Sequence, residues 1–128
     1  MALEAVNQSF LGIAIKGVDP VAYFLEGKAI EGERRYSYHW NQAEWRFSSA
    51  ENLQRFKQDP EQYAPQFGGY CAWAVSQGYS AGIDPEAWSI VNDKLYLNYS
   101  KSVQKTWSLN MQHNIETAEQ NWPRLLAD

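Results

Sequence analysis

Two stretches of this chain alternate apolar and polar residues around a two-residue break, and they restrict the fold more than anything else in it. In "YSYHW-NQ-AEWRF" (36–47), Tyr36, Tyr38 and Trp40 alternate with Ser37 and His39, and Trp45 and Phe47 alternate with Glu44 and Arg46. In "WSIV-ND-KLYLNY" (88–99), Trp88, Ile90, Leu95 and Leu97 share one face. A period of two on both sides of a two-residue break predicts β-hairpins. The first break, Asn41-Gln42, sets Tyr38 opposite Trp45 and His39 opposite Glu44. Gln is a poor fit to the positive φ that such a turn asks for.

Around the hairpins the pattern is that of short helices. Asp-Pro occurs three times, in "DPVAYF" at 19, "DPEQYA" at 59 and "DPEAWS" at 84. Asp suits an N-cap and Pro the first helical position, so each pair predicts a helical turn, pinned by the aromatic that follows (Tyr23, Tyr63, Trp88). "SSAENLQRF" reads as a helix to about Lys57, capped by Ser48 with Glu51 in a capping box and turning Leu53 and Phe56 inward. A further helix is expected over 70–77, entered through Gly68-Gly69 and stopped by Gly78. Ser100 caps a helix carrying Val103 and Trp107. Ile115, Ala118, Trp122 and Leu125 mark a last amphipathic stretch over 115–126 that Pro123 should interrupt. The sum is a small single α+β domain of short antiparallel hairpins covered by short helices. With 128 residues, 15% of them aromatic, including six Trp and eight Tyr, the chain can build a real core.

Charge and cysteine content remove whole classes of function. The formal net charge is −4 and no basic cluster exceeds Arg34-Arg35, so the electrostatic footprint of a nucleic-acid binder is missing. No apolar run is long enough for a membrane span. The N-terminal sequence has neither a basic region nor an apolar core of the signal-peptide type. A cytoplasmic protein is expected as written, or a periplasmic or secreted one if a leader was removed. One cysteine allows no internal disulfide and no Cys-pair zinc site.

That cysteine, Cys71 in "QFGGYCAWAVSQG", frames the functional question. A free Cys is commonly a small buried hydrophobe, here beside Ala72 and Trp73. It could instead be a thiolate nucleophile or redox sensor, activated by His39 or by a helix N-terminus, with Gly68 and Gly69 letting backbone approach a ligand. His39 reads as a solvated partner of Glu44 or as a metal ligand with Cys71. His113 reads as a surface residue, and the Ser48-Ser49 pair has no partner for hydrolase chemistry. The aromatic set (Trp40, Trp45, Tyr70, Trp73, Tyr79, Trp88, Tyr96, Tyr99) supplies either a Trp-rich core or the lining of an apolar cleft.

"KGVDPVAYFLEGKAIEG", "WRFSSAENLQRFKQDPEQYAPQFGGYCAWAVSQG", "DPEAWSIVNDKLYLNYS" and "NWPRLL" together resemble the stand-alone bacterial YHS-domain proteins. The resemblance covers 15–126 and leaves 1–14 as an N-terminal extension. It implies a compact α+β domain and no settled biochemical function. Members of the wider YHS and TRASH group resemble "DPVCGM … YFCSxxCxxxF", whose cysteines are proposed to bind soft metals. Laid on that pattern, Ala22, Ser48 and Asn52 stand at the three cysteine positions, while Phe47 and Phe56 keep register. Methyl, hydroxyl and amide do not replace thiolate sulfur, so the resemblance implies a kept frame without its metal site. The expected function is a non-enzymatic binding or structural module with its ligand surface around Gly69, Tyr70, Cys71 and Trp73. The ligand is a small apolar molecule, or a transition metal ion at a non-ancestral site of Cys71 and His39. A thiol-dependent sensor or enzyme using Cys71, and an accessory domain docking on a protein partner, are the competing readings.

Overall fold

In the computed structural model, which describes residues 3–127, both hairpins form in the expected register. Strands β1 (Glu33–Trp40) and β2 (Ala43–Phe47) are antiparallel, with Tyr38 opposite Trp45 and His39 opposite Glu44. Strands β3 (Trp88–Val91) and β4 (Lys94–Leu97) pair Trp88 with Leu97 and Ile90 with Leu95. Each hairpin is its own two-stranded sheet. Both turns take positive φ at both central residues, 50° and 68° at Asn41-Gln42 and 52° and 63° at Asn92-Asp93. Strand twist demands that geometry, and Gln42 accepts it despite its side chain.

Six helices surround the hairpins: α1 (Pro20–Leu25), α2 (Ala50–Gln58), α3 (Pro60–Tyr63), α4 (Ala72–Ser76), α5 (Lys101–Ser108) and α6 (Met111–Ala127). The domain is a small α+β domain. Asp19 caps α1 through its side chain, whereas Asp59 precedes α3 with no side-chain cap bond. Asp84 closes a turn by accepting from the Glu86 N–H at 2.9 Å. The cap of α2 is Ser49, not Ser48: Ser49 Oγ accepts the Asn52 N–H at 3.1 Å, because Ser48 is drawn to a long-range partner described below. Ser100 caps α5 as expected. Helix α4 ends in a Schellman motif, with the Gly78 N–H on the Val75 carbonyl, the Tyr79 N–H on that of Ala74, and Gly78 at φ +91°. Helix α6 begins at Met111 and runs through Pro123 without stopping. The proline removes one backbone donor, and the burial of Ile115 and Ala118 upstream holds the helix together.

The larger core cluster gathers Ile15, Val21, Tyr23, Trp45, Phe47, Phe56, Leu95 and Leu97. Phe56 is its aromatic hub, with the rings of Tyr38, Trp40, Trp45 and Phe47 at 5.0–6.4 Å between centroids. A second cluster, including Phe67, Val75, Tyr96, Trp107, Ile115 and Ala118, lies beneath α6. Residues 3–14, expected as an N-terminal extension, pack against the rest of the fold, with the Asn7 N–H on the Gly68 carbonyl at 2.8 Å, and Met1 and Ala2 lie outside the described residues. Val6 and Ala14 are buried, Gln8 bridges Ala14, and Ile13 bridges Glu44 of β2.

Three buried tyrosines tie this packing to pH. Burial, with the Glu86 and Asp84 carboxylates adding to it, pushes the Tyr23 hydroxyl well above the ordinary tyrosine range; that hydroxyl donates to the Pro85 carbonyl at 2.7 Å. Burial and Glu4 raise Tyr70, and burial and Glu119 raise Tyr96. An acid whose folded pKa is raised favours the folded state while protonated. Its contribution is therefore complete below the unfolded value of 10.0 and is lost as pH rises through the folded value. In an alkaline titration followed by phenolate absorbance, Tyr23, Tyr70 and Tyr96 should accordingly ionise above the ordinary tyrosine value. Their ionisation should coincide with unfolding by circular dichroism.

Candidate functional site

Two places in the fold bring chemistry-bearing residues together. The first is a buried carboxylate. Asp19 has no exposed surface, and its two oxygens take five donors. Oδ1 accepts the N–H groups of Val21 at 2.8 Å and Ala22 at 3.2 Å. Oδ2 accepts the Ser48 N–H and the Ser48 hydroxyl, both at 2.8 Å, and the Asn52 side-chain amide at 2.9 Å. The positions that the resemblance aligned with cysteines, Ala22, Ser48 and Asn52, therefore do converge in space. What they surround is a hydrogen-bonded anion. From sequence Asp19 reads as a helix cap, or as one of three Asp-Pro carboxylates that could pair for acid–base chemistry; its second oxygen, which joins α1 to the start of α2, is missed by both readings. The alignment of 22, 48 and 52 on one frame was the signal that a neighbour of Ala22 had to meet the other two.

The second place is the surroundings of Cys71. Its side chain is buried, its S–H donates to Asn98 Oδ1 at 3.4 Å, and its sulfur accepts the Tyr99 N–H at 3.2 Å. Asn98 Oδ1 also accepts the Trp73 N–H at 3.0 Å, so one amide just past β4 fixes the start of α4. The Asn98 side chain is fully buried, and its Nδ2 has no acceptor among the described residues. Over the thiol lies a cleft of about 240 Å³, lined by Cys71, Trp73, Ala74, Tyr79, Ala81, Tyr99 and Val103. Tyr79 and Tyr99 are exposed at this cleft.

The expected site residues divide between two environments. Cys71 and Trp73 line the cleft. Gly69 is turned to Ile15 and Pro65, and its carbonyl accepts the Asn7 side-chain amide at 3.0 Å. The Tyr70 hydroxyl donates to the Glu4 carbonyl at 3.0 Å, and its ring lies 5.9 Å from that of Trp122. The space next to Gly68 and Gly69 is thus filled by the chain's own N-terminal segment. His39 is exposed on β1 opposite Glu44, and His113 is exposed on α6. Among the described residues no group of three or more His, Cys, Asp or Glu gathers in a way that could hold a metal ion. Asn98 was missed by sequence reasoning, since a single Asn after an apolar strand carries no local signal of its partners.

A comparison with protein families agrees with this architecture. The family model of the YHS domain matches residues 21–67, from α1 through the first hairpin, α2 and α3. The chain thus carries a YHS domain over residues 21–67. Cys71 and its cleft lie just outside the matched stretch. Neither the curated proteins nor the solved structures gave a match. No helix among the described residues is long and apolar enough to cross a membrane.

Proposed function

We propose that this YHS-domain protein is a non-enzymatic binding module for a small, largely apolar molecule, and that Cys71 and Trp73 belong to its ligand contact surface. The observation that supports this reading is the cleft over Cys71, whose lining is almost wholly aromatic and aliphatic. Its size of about 240 Å³ lies below that of most ligand pockets and so limits the ligand to a small one. Gly69 and Tyr70 serve the surface from behind by anchoring the N-terminal segment through Asn7 and Glu4.

Cyclic ketones and alcohols such as cyclohexanone and cyclohexanol are suitable probes. Either should shift the Trp73 indole resonance and protect Cys71 from a thiol reagent, and both effects should be lost in Val103→Phe, which fills the cleft. An unchanged Trp73 signal across the panel would count against a ligand site here and favour docking on a protein.

Labelling kinetics test the thiol-dependent alternative. Because Cys71 is buried, its native labelling should run about a hundredfold slower than in the unfolded chain and follow local opening. Fast native labelling that persists into acidic solution would identify an activated thiolate and overturn the non-enzymatic reading. Stoichiometric copper or zinc that leaves with Cys71→Ala or His39→Ala would replace the apolar ligand by a metal.

A further inference from the structure

A different hollow, on the other side of the Gly68-Gly69 turn, has chemistry of its own. A groove of about 460 Å³ runs between the end of β1, the turn at Pro65–Gly68 and α6. Trp40 comes to it from β1 and Trp122 from α6. An adjoining hollow of about 240 Å³ shares Trp40, Ala64, Pro65, Gly68 and Trp122 with it. Both indoles are held from behind by other rings. Trp40 meets Phe56 edge-on at 5.5 Å and Trp45 at 5.8 Å, and Trp122 meets Phe67 at 6.3 Å and Tyr70 at 5.9 Å. The walls are therefore preformed and partly open to solvent, and so available to a ligand.

The charged side chains in this lining are all of one sign. Glu61 and Glu119 are exposed there, no Lys or Arg accompanies them, and neither forms an ion pair among the described residues. Arg124, on the same helix as Glu119, is bound to Asn121 and lines a separate hollow beside Gly78. Two indole rings and two carboxylates without an ion pair among the described residues are complementary to one kind of group: a cation that carries N–H donors on an apolar stem.

The geometry points to a second binding site, between Trp40 and Trp122, for a small organic cation of the primary-amine or guanidine class. It shares no lining residue with the Cys71 cleft and stands whether or not that cleft binds anything. The test uses the full chain with phenethylammonium and agmatine as probes and 2-phenylethanol and phenylacetate as matched neutral and anionic controls. The indole N–H resonances of the six tryptophans serve as reporters. The cations should shift Trp40 and Trp122 with a Kd of about 1 mM, while the alcohol and the carboxylate leave both unmoved. The double variant Glu61→Gln/Glu119→Gln, at exposed positions that the fold does not depend on, should weaken the cations about tenfold and leave the other resonances in place. The proposal fails if the two indoles stay silent to about 10 mM, if 2-phenylethanol matches phenethylammonium, or if the double variant binds as the parent does. A response confined to Trp73 would place the cation in the Cys71 cleft and overturn it as well.

Discussion

Asp19→Ala should destabilise the domain by about 3–5 kcal/mol. No cation pairs with the carboxylate among the described residues. Two backbone N–H groups of α1, the Ser48 N–H and hydroxyl and the Asn52 amide hold its charge, with the N-terminal end of α1 adding a favourable dipole. Truncation strands these donors in a place water does not reach, and each stranded buried donor costs about 1–3 kcal/mol where the structure cannot relax. Against a total of about 5–15 kcal/mol for a domain, that is about a fifth of the stability or more. Asp19→Asn should recover little, because its N–H2 meets N–H and O–H donors where an acceptor is needed. The other Asp-Pro pairs are internal controls. Asp59 makes no side-chain cap bond, so Asp59→Ala should stay within about 0.5 kcal/mol; Asp84 holds one exposed turn N–H, and its loss should cost about 1 kcal/mol. Urea midpoints measured at constant m-value would rank the three. Equal losses at 19 and 59 would refute the network's weight.

That ranking also shows where the sequence speaks and where it does not. All three Asp-Pro pairs look alike locally, and all three do start a turn or helix. What separates Asp19 from the others is Ser48 and Asn52, far along the chain, and no local pattern reveals such partners. The same long-range bond explains the off-by-one at α2, where Ser48 is taken by Asp19 and Ser49 becomes the cap. The hairpins were legible because period and turn length are local properties that burial on one face reinforces. Pro123 misled for the converse reason: its local cost is one helical bond, outweighed by the apolar face α6 lays on the core. For Cys71, the small buried hydrophobe was readable from residue type. The cleft above it was not, because Tyr79, Ala81, Tyr99 and Val103 reach it from three separate segments.

Glycine substitutions in and beyond "FGGYCAWAVSQG" should divide by surroundings rather than by backbone angle. Gly68, Gly69 and Gly78 all have left-handed φ, at +62°, +82° and +91°. Alanine at Gly78 meets nothing within 4 Å, so it should cost only the left-handed strain of about 1–2 kcal/mol. At Gly69 a Cβ overlaps Ile15 Cγ2, a side-chain atom at the centre of the core, and presses on Pro65 at 3.1 Å. At Gly68 it overlaps the carbonyl oxygen of Ala5, and backbone cannot rotate out of the way. Relief there requires the N-terminal segment to lift, which breaks the Asn7 N–H bond to the Gly68 carbonyl at 2.8 Å and uncovers Val6. Gly68→Ala should therefore cost at least about 3 kcal/mol, Gly69→Ala a similar or slightly smaller amount, and Gly78→Ala the least. Hydrogen exchange distinguishes this from ordinary destabilisation. In Gly68→Ala the amides of Asn7 and Ile15, both bonded across this segment, should lose protection before those of β3 and β4. If all amides instead weaken together, or if Gly78→Ala is as damaging as Gly68→Ala, then backbone angle alone sets the cost, and the N-terminal segment is not what the glycine pair accommodates.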